Sequence, residues 1–203
     1  MVLLSTVFAT LIGIPLGILL TLTGKGGLKE LPWFYHFLSF VVNVGRSVPF
    51  AILIIAIFPF TRLIVGTSVG TTASIVPLTI TAAPFLARVI EGALLEVNCA
   101  LIEAAQVMKA SIRKIVWRVL IPEALPSIVQ AITQMTVTLI GYSAMAGLVG
   151  GGGLGKVAIQ YGYQRFDGFL MFITLVLLLL LVWVVQGIGN GITYSIRRKR
   201  GLA

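Results

Sequence analysis

The stretch NCALIEAAQVMKASIRKIVWRVLIPEALPSI, Asn98–Ile128, decides how this chain is read. Long apolar runs lie on both sides of it, yet within it Glu103, Lys109, Arg113, Lys114, Arg118 and Glu123 interrupt the pattern. Leu101, Ala105, Met108, Ile112, Ile115, Val116 and Val119 recur at three- and four-residue steps, which predicts helix with one greasy face. Lys109, Arg113 and Trp117 form one row on the other face, and Lys114 and Arg118 a second. Ser111 stands where it can cap a second short helix, and Pro122 and Pro126 are expected to end that helix before the next apolar run. The pattern predicts helix, turn and helix lying on a membrane surface. Two readings stay open: an interfacial helix held by headgroups, or a protruding element that docks in a groove of a cytosolic partner.

The surroundings make it a membrane protein. Of 203 residues, 58% are hydrophobic and 10% charged, with mean hydropathy +1.07; soluble domains carry about 25% charged residues. The net charge of +9 fits bases at the cytosolic ends of helices and calls for no nucleic acid. The single Cys99 permits no internal disulfide. His36, beside Trp33 and Tyr35, reads as an interface residue. No His, Asp or Glu cluster has metal-ligand spacing, and no Ser/His pair suggests an enzyme. The apolar run starting at Met1 lacks a basic start and outlasts a signal peptide, so it is expected to remain as a crossing.

A crossing helix needs about 20 apolar residues, and five segments qualify: Met1 to about Thr23, Trp33 to Phe58, Val69 to Leu95, Pro126 to about Leu148, and Phe169 to Ile192. PFTRLIVGTS is expected to be a turn, and kinks, as ordinary bends or pathway hinges, are expected at Pro15, Pro77 and Pro84. The runs lack the alternation of a membrane barrel. With the tail RRKR inside, Lys25, Lys29, Arg88 and the bases of the central stretch share its side, while only Arg62, Lys156 and Arg165 fall outside. The positive-inside rule therefore puts the C-terminus and the central stretch in the cytosol and the N-terminus outside.

Within that stretch, Glu103-Ala104-Ala105, then Lys109, then Val119-Leu120-Ile121-Pro122 resembles the cytoplasmic loop of ABC importer permeases, where the pattern is EAA, three residues, Gly, nine residues, Ile-x-Leu-Pro. NVGRSVPF, PFTRLIVGTSVG, IVPLTITAAPFLARVIEGALLEV, LIPEALPSIV and GYSAMAGLVGGGGLG together are similar to blocks of the methionine-uptake branch. The resemblance spans nearly the whole chain. It implies one all-α permease domain over 1–203, with five crossings, the type I ABC importer fold and a coupling helix at about 98–122. It further implies a homodimer in the bacterial inner membrane, two cytosolic ATP-binding subunits, an extracytoplasmic binding protein, and no cofactor of its own, ATP being held by the partner. Glu103, Ala104 and Ala105 would make the docking contact, supported by Lys109, Ser111 and Pro122. Two departures stand out: Lys109 replaces the family's loop glycine, and relatives carry a short additional segment before the first crossing.

GGGGLGKV, from Gly150, imitates a phosphate-binding P-loop, but Val157 stands where Ser or Thr should hold Mg²⁺ and a membrane helix, not a strand, precedes it. It reads as a flexible outer loop. Tyr161, Tyr163, Arg165, Phe166 and Asp167 beyond it could meet an external protein. Five helices are too few to enclose a roomy polar path, and a two-fold dimer would put the path on its axis. Gly13 with Gly17, and Gly187 with Gly191, have small-xxx-small spacing for such a seam. With no carboxylate expected mid-membrane, energy from a partner is favoured over a proton-coupled carrier working alone. Arg46 either snorkels to water as a helix cap or faces the path and attracts a carboxylate. By the resemblance, the fourth crossing lines the axis, with Met145 as a soft gate and Tyr142 and Ser143 nearby, ordinary packing being the alternative.

Overall fold

The computed structural model describes residues 1–147 and 150–200. The expected end of the fourth crossing at Leu148, and the tail beyond Arg200, lie outside the described residues. In chain order the helices are α1 (Val2–Thr23), α2 (Pro32–Ser47), α3 (Phe50–Ala56), α4 (Phe58–Val65), α5 (Ile75–Leu95), α6 (Cys99–Val107), α7 (Ile112–Ile115), α8 (Ile121–Ala146), α9 (Gly153–Val157) and α10 (Gly168–Lys199). No strand occurs among the described residues. Four helices are long and apolar enough to cross a membrane, and five spans result if the bent pair α2–α3 is one.

The core is built around α5. Leu78, Leu86, Ile90 and Leu94 are fully buried and join Ile115, Leu120, Met135 and Leu139 in one apolar cluster. α1 lies along α5 because its contact face is small: a methyl added at Gly17 would stand 2.7 Å from the Ile90 Cβ and 2.8 Å from the Ala87 carbonyl. Gly13 and Gly17 thus form a seam inside the protomer rather than between copies. Gly187 and Gly191 face open space, and it is Gly189 between them that meets Thr133 of α8. Thr10, Thr21, Thr133 and Thr174 donate to carbonyls a turn earlier, so these four hydroxyls carry no unmet need into the bilayer, whereas the buried hydroxyls of Thr79 and Thr193 find no partner among the described residues.

Prolines shape the path of the chain, not always as expected. The second segment is not one rod: it breaks by 101° between α2 and α3. Pro49 supplies no backbone N–H and disfavours helix at Val48, which is extended (φ −73°, ψ 124°). Residues 59–65, expected as a turn, continue as helix α4 until Gly66 closes it in the left-handed region (φ 82°). Pro77 sits in the first turn of α5, where its missing N–H costs nothing, so of the three expected kink sites Pro15 and Pro84 lie in helix interiors.

Pro122 and Pro126 do not end a helix. Residues Ile112–Ala146 form one 35-residue element. A π-turn at Val116–Leu120, with the Ile121 N–H bonded to the Val116 carbonyl, widens the helix just before Pro122. The wider register gives the ring room where an α-turn would clash. The second half of the surface element, from Ile112, is therefore continuous with the fourth crossing.

Candidate functional site

Three residues, Glu96 to Asn98, connect α5 to α6. Asn98 is the true cap: its side chain accepts from the Ala100 N–H at 2.9 Å. Ser111 does precede α7 in extended conformation, but its hydroxyl makes no capping bond. Between them α6 closes in a Schellman turn. The Ala110 N–H donates to the Ala105 carbonyl (3.0 Å) and the Lys109 N–H to Gln106 (2.8 Å), with Lys109 at φ +55°. The lysine at the family's glycine position thus occupies the left-handed conformation that glycine adopts freely, at a cost of about 1 kcal/mol.

This turn splits the greasy face that periodicity drew as continuous. Ala105, Ile115 and Val116 are buried in the core, whereas Val107 and Met108 are 82% and 75% exposed. Ala105 therefore seats α6 rather than reaching outward, and Glu103, Ala104, Val107 and Met108 make the outer surface. Behind α6, a cleft of about 230 Å³ opens between Gly26–Leu28, the end of α5, and Glu103 and Gln106. Pro122 is tied to the far end of the chain: Arg200 donates to the carbonyls of Pro122 and Glu123 and reaches the Glu123 carboxylate at 3.4 Å.

A second feature runs along α8. Gln130, Gln134, Gly141 and Met145 are exposed at helical spacing, with Ser127 and Thr138 half-buried among them. With Glu96, Gln186 and Asn190 the N-terminal part of this stripe lines a cavity of about 560 Å³. Unpaired amides and a carboxylate do not face hydrocarbon at acceptable cost, so this side of the protomer must meet water or protein. Met145 is 49% exposed at the C-terminal end of the stripe. Ser143 does not join it, being buried and donating to the Ile140 carbonyl of its own helix at 2.7 Å. Tyr142 is half-buried and stacks on Phe50. Arg46, about 21 Å along α2 from Pro32 at the helical rise, lines a small cavity with Thr138, Tyr142 and Met135. The structure thus brings Arg46 and Tyr142 to one small cavity, leaves Met145 on the exposed stripe and leaves Ser143 out.

Sequence reasoning missed a polar cluster between α2 and α5. Arg88 contacts the Glu91 carboxylate at 2.5 Å and donates to Ser39 Oγ (3.2 Å) and Asn43 Oδ1 (3.3 Å). The Tyr35 hydroxyl donates to the other Glu91 oxygen at 3.1 Å. The available signal was Tyr35, Ser39 and Asn43 at four-residue steps in an otherwise apolar helix.

At the opposite end, the glycine run is packed, not slack. A Cβ at Gly155 would run into the Ala144 backbone and one at Gly147 into that of Gly155 and Lys156, so the run lets α9 fold against α8. Beyond it, Arg165 lies 4.7 Å over the Tyr161 ring, and Phe166 is 90% exposed at φ +57°. Asp167 is spent as the cap of α10, accepting from Phe169 and Leu170.

The family described as "Binding-protein-dependent transport system inner membrane component" matches residues 13–198. The chain is 56% identical over 181 residues to the "Probable D-methionine transport system permease protein MetI" of Vibrio cholerae, covering 89% of this chain and 80% of that one. It is 50% identical over 147 residues to the "D-methionine transport system permease protein MetI" of Escherichia coli K12, covering 72% and 68%. Its fold is similar, with TM-score 0.95 and 48% identity over 96% of this chain and 90% of the other, to a chain from "Inward facing conformations of the MetNI methionine ABC transporter". An amino acid ABC transporter chain at 18% identity has TM-score 0.75 over 96% of this chain and 90% of its own, a likeness of fold alone. The chain belongs to the family of inner membrane components of binding-protein-dependent transport systems.

Proposed function

We propose that this chain is the permease subunit of an ATP-driven importer that carries methionine across the bacterial cytoplasmic membrane. Two copies pair around the polar stripe of α8, two cytosolic ATPase subunits grip α6 and the turn after it, and an external binding protein delivers substrate. The N-terminus then lies outside and the C-terminus in the cytosol, as the distribution of bases favours. ATP chemistry belongs to the partner, and the permease contributes displacement.

One observation carries this reading: residues Ile112–Ala146 run as one 35-residue helical element from the turn after α6 to the Met145 end of α8. Movement at the cytosolic surface reaches the outer half of the path as motion of a lever. Glu103, Ala104, Val107 and Met108 supply the docking surface, and Lys109, Ser111 and Pro122 shape the turn and the helix behind it. Met145 from each copy meets its mate as a pliable apolar gate. Arg46 offers a cation to the substrate carboxylate, with Tyr142 beside it. The names of the relatives support methionine as the cargo.

The test is reconstitution of the permease with its ATPase and binding protein in liposomes, followed by uptake of radiolabelled methionine. Uptake that needs ATP and the binding protein, and that unlabelled methionine outcompetes over other small amino acids, is expected. Transport without the ATPase refutes the reading, and preference for another amino acid refutes the cargo.

A further inference from the structure

The Arg88–Glu91 pair stands apart from the path, the gate and the docking surface. Glu91 is 4% exposed, and the pair lies in the last two turns of α5, the helix that leads through three residues into α6. A desolvated ion pair is a poor source of net stability, since well-packed apolar groups of similar volume serve as well or better. An ionisable pair buried in a membrane helix marks a functional role by default.

Its partners say what that role is. α2 presents Tyr35, Ser39 and Asn43 on one face, and each is bonded to Arg88 or Glu91. Most of the remaining surface of α2 is exposed, Ser39 and Val42 being its buried residues. In lipid no hydrophobic force presses such a helix onto its neighbour, so hydrogen bonds and close packing must hold it. The cluster, with Gly45 against Pro84 further along and Val42 packed with Ala87 and Leu20, fixes α2 to α5. Beyond it on α2 come Arg46 and the 101° break at Pro49.

We propose that this cluster is a positioning clasp that makes α2 follow α5 when α6 is displaced, carrying the stroke to Arg46 and the Pro49 break. The proposal rests on the importer reading above and names residues that act through others, not on the cargo. Tyr35 and Glu91 set the register of the two helices, while Arg88 holds Ser39 and Asn43.

The test uses the reconstituted complex and measures methionine taken up per ATP hydrolysed, a ratio that a merely structural role would leave unmoved. The double variant Arg88→Met with Glu91→Leu removes both charges together and so leaves no unpaired charge, while it takes away every bond that Tyr35, Ser39 and Asn43 make to α5. It is expected to assemble with the ATPase and hydrolyse ATP while its uptake per ATP falls by about fivefold or more. Tyr35→Phe keeps the ion pair and loses a single donor, and a smaller fall in the same direction is expected with an unchanged melting temperature. A wild-type ratio in the double variant overturns the clasp. Should that variant fail to assemble, a wild-type ratio in Tyr35→Phe overturns it instead. Lack of ATP-driven uptake by the unaltered permease refutes the importer reading itself, so the two failures are distinguishable.

Discussion

Phe50 lies flat on Tyr142, with ring centroids 4.7 Å apart and planes 8° from parallel. The contact joins the first residue of α3, just past the break at Pro49, to α8 three residues before Met145. On the importer reading, movement of the bent second span would reach the Met145 end of α8 through these two stacked rings. Stacking of this kind contributes about 0.5–1.5 kcal/mol beyond area burial. Phe50→Leu keeps an apolar side chain and loses the stack. Its uptake is expected to fall while ATP hydrolysis persists, and measured uptake equal to that of the unaltered protein would sever the link between α3 and the gate.

Lys109 at φ +55° makes a second prediction. Lys109→Gly removes the left-handed penalty of about 1 kcal/mol and leaves the Schellman bonds in place. Hydrogen exchange at the Lys109 and Ala110 amides should slow by roughly fivefold, the equilibrium equivalent of that energy. Faster exchange would mean that the lysine stem contributes packing that outweighs the strain.

Much of this architecture was legible because lipid demands it. About 20 apolar residues must be spent on each crossing, so five segments stood out, and the charges of Glu103 to Arg118 marked the one element that could not lie among them. What stayed hidden depended on neighbours. Periodicity drew one greasy row across the expected turn, so it could not show that Ala105 faces inward and Met108 outward. Pro122 reads as a helix end unless a π-turn precedes it, and no spacing announces that turn. Arg88 looked like one more inner base until α2 supplied its partners, and Ser143 looked available until its hydroxyl was found bonded within its own helix.

The glycine seam separates protomer stability from assembly. Gly17→Ala must displace Ile90 or the Ala87 carbonyl, and overpacking of that kind costs about 1–3 kcal/mol. A lowered melting temperature in detergent is expected. The Cβ of Gly187→Ala meets nothing within 4 Å in the protomer, so this variant should not lower the melting temperature of the isolated protomer. Any loss it causes in the paired form would locate a seam between copies, whereas an unaltered sedimentation profile would place that seam elsewhere.

Asn98 provides the sharpest local test of the surface element. Its side chain satisfies the Ala100 N–H at the start of α6, and loss of such a cap costs about 1 kcal/mol. α6 has only nine residues, too few to hold a helical register alone in water. Asn98→Ala should therefore fray the first turn, loosen Glu103 and Ala104, and weaken retention of the ATPase on an affinity column. Asn98→Asp keeps an oxygen acceptor and adds a negative charge at the positive end of the helix, so it should retain the ATPase as well as the unaltered chain does. If both variants retain the ATPase equally, α6 is held by its buried Ala105 contact and not by its cap.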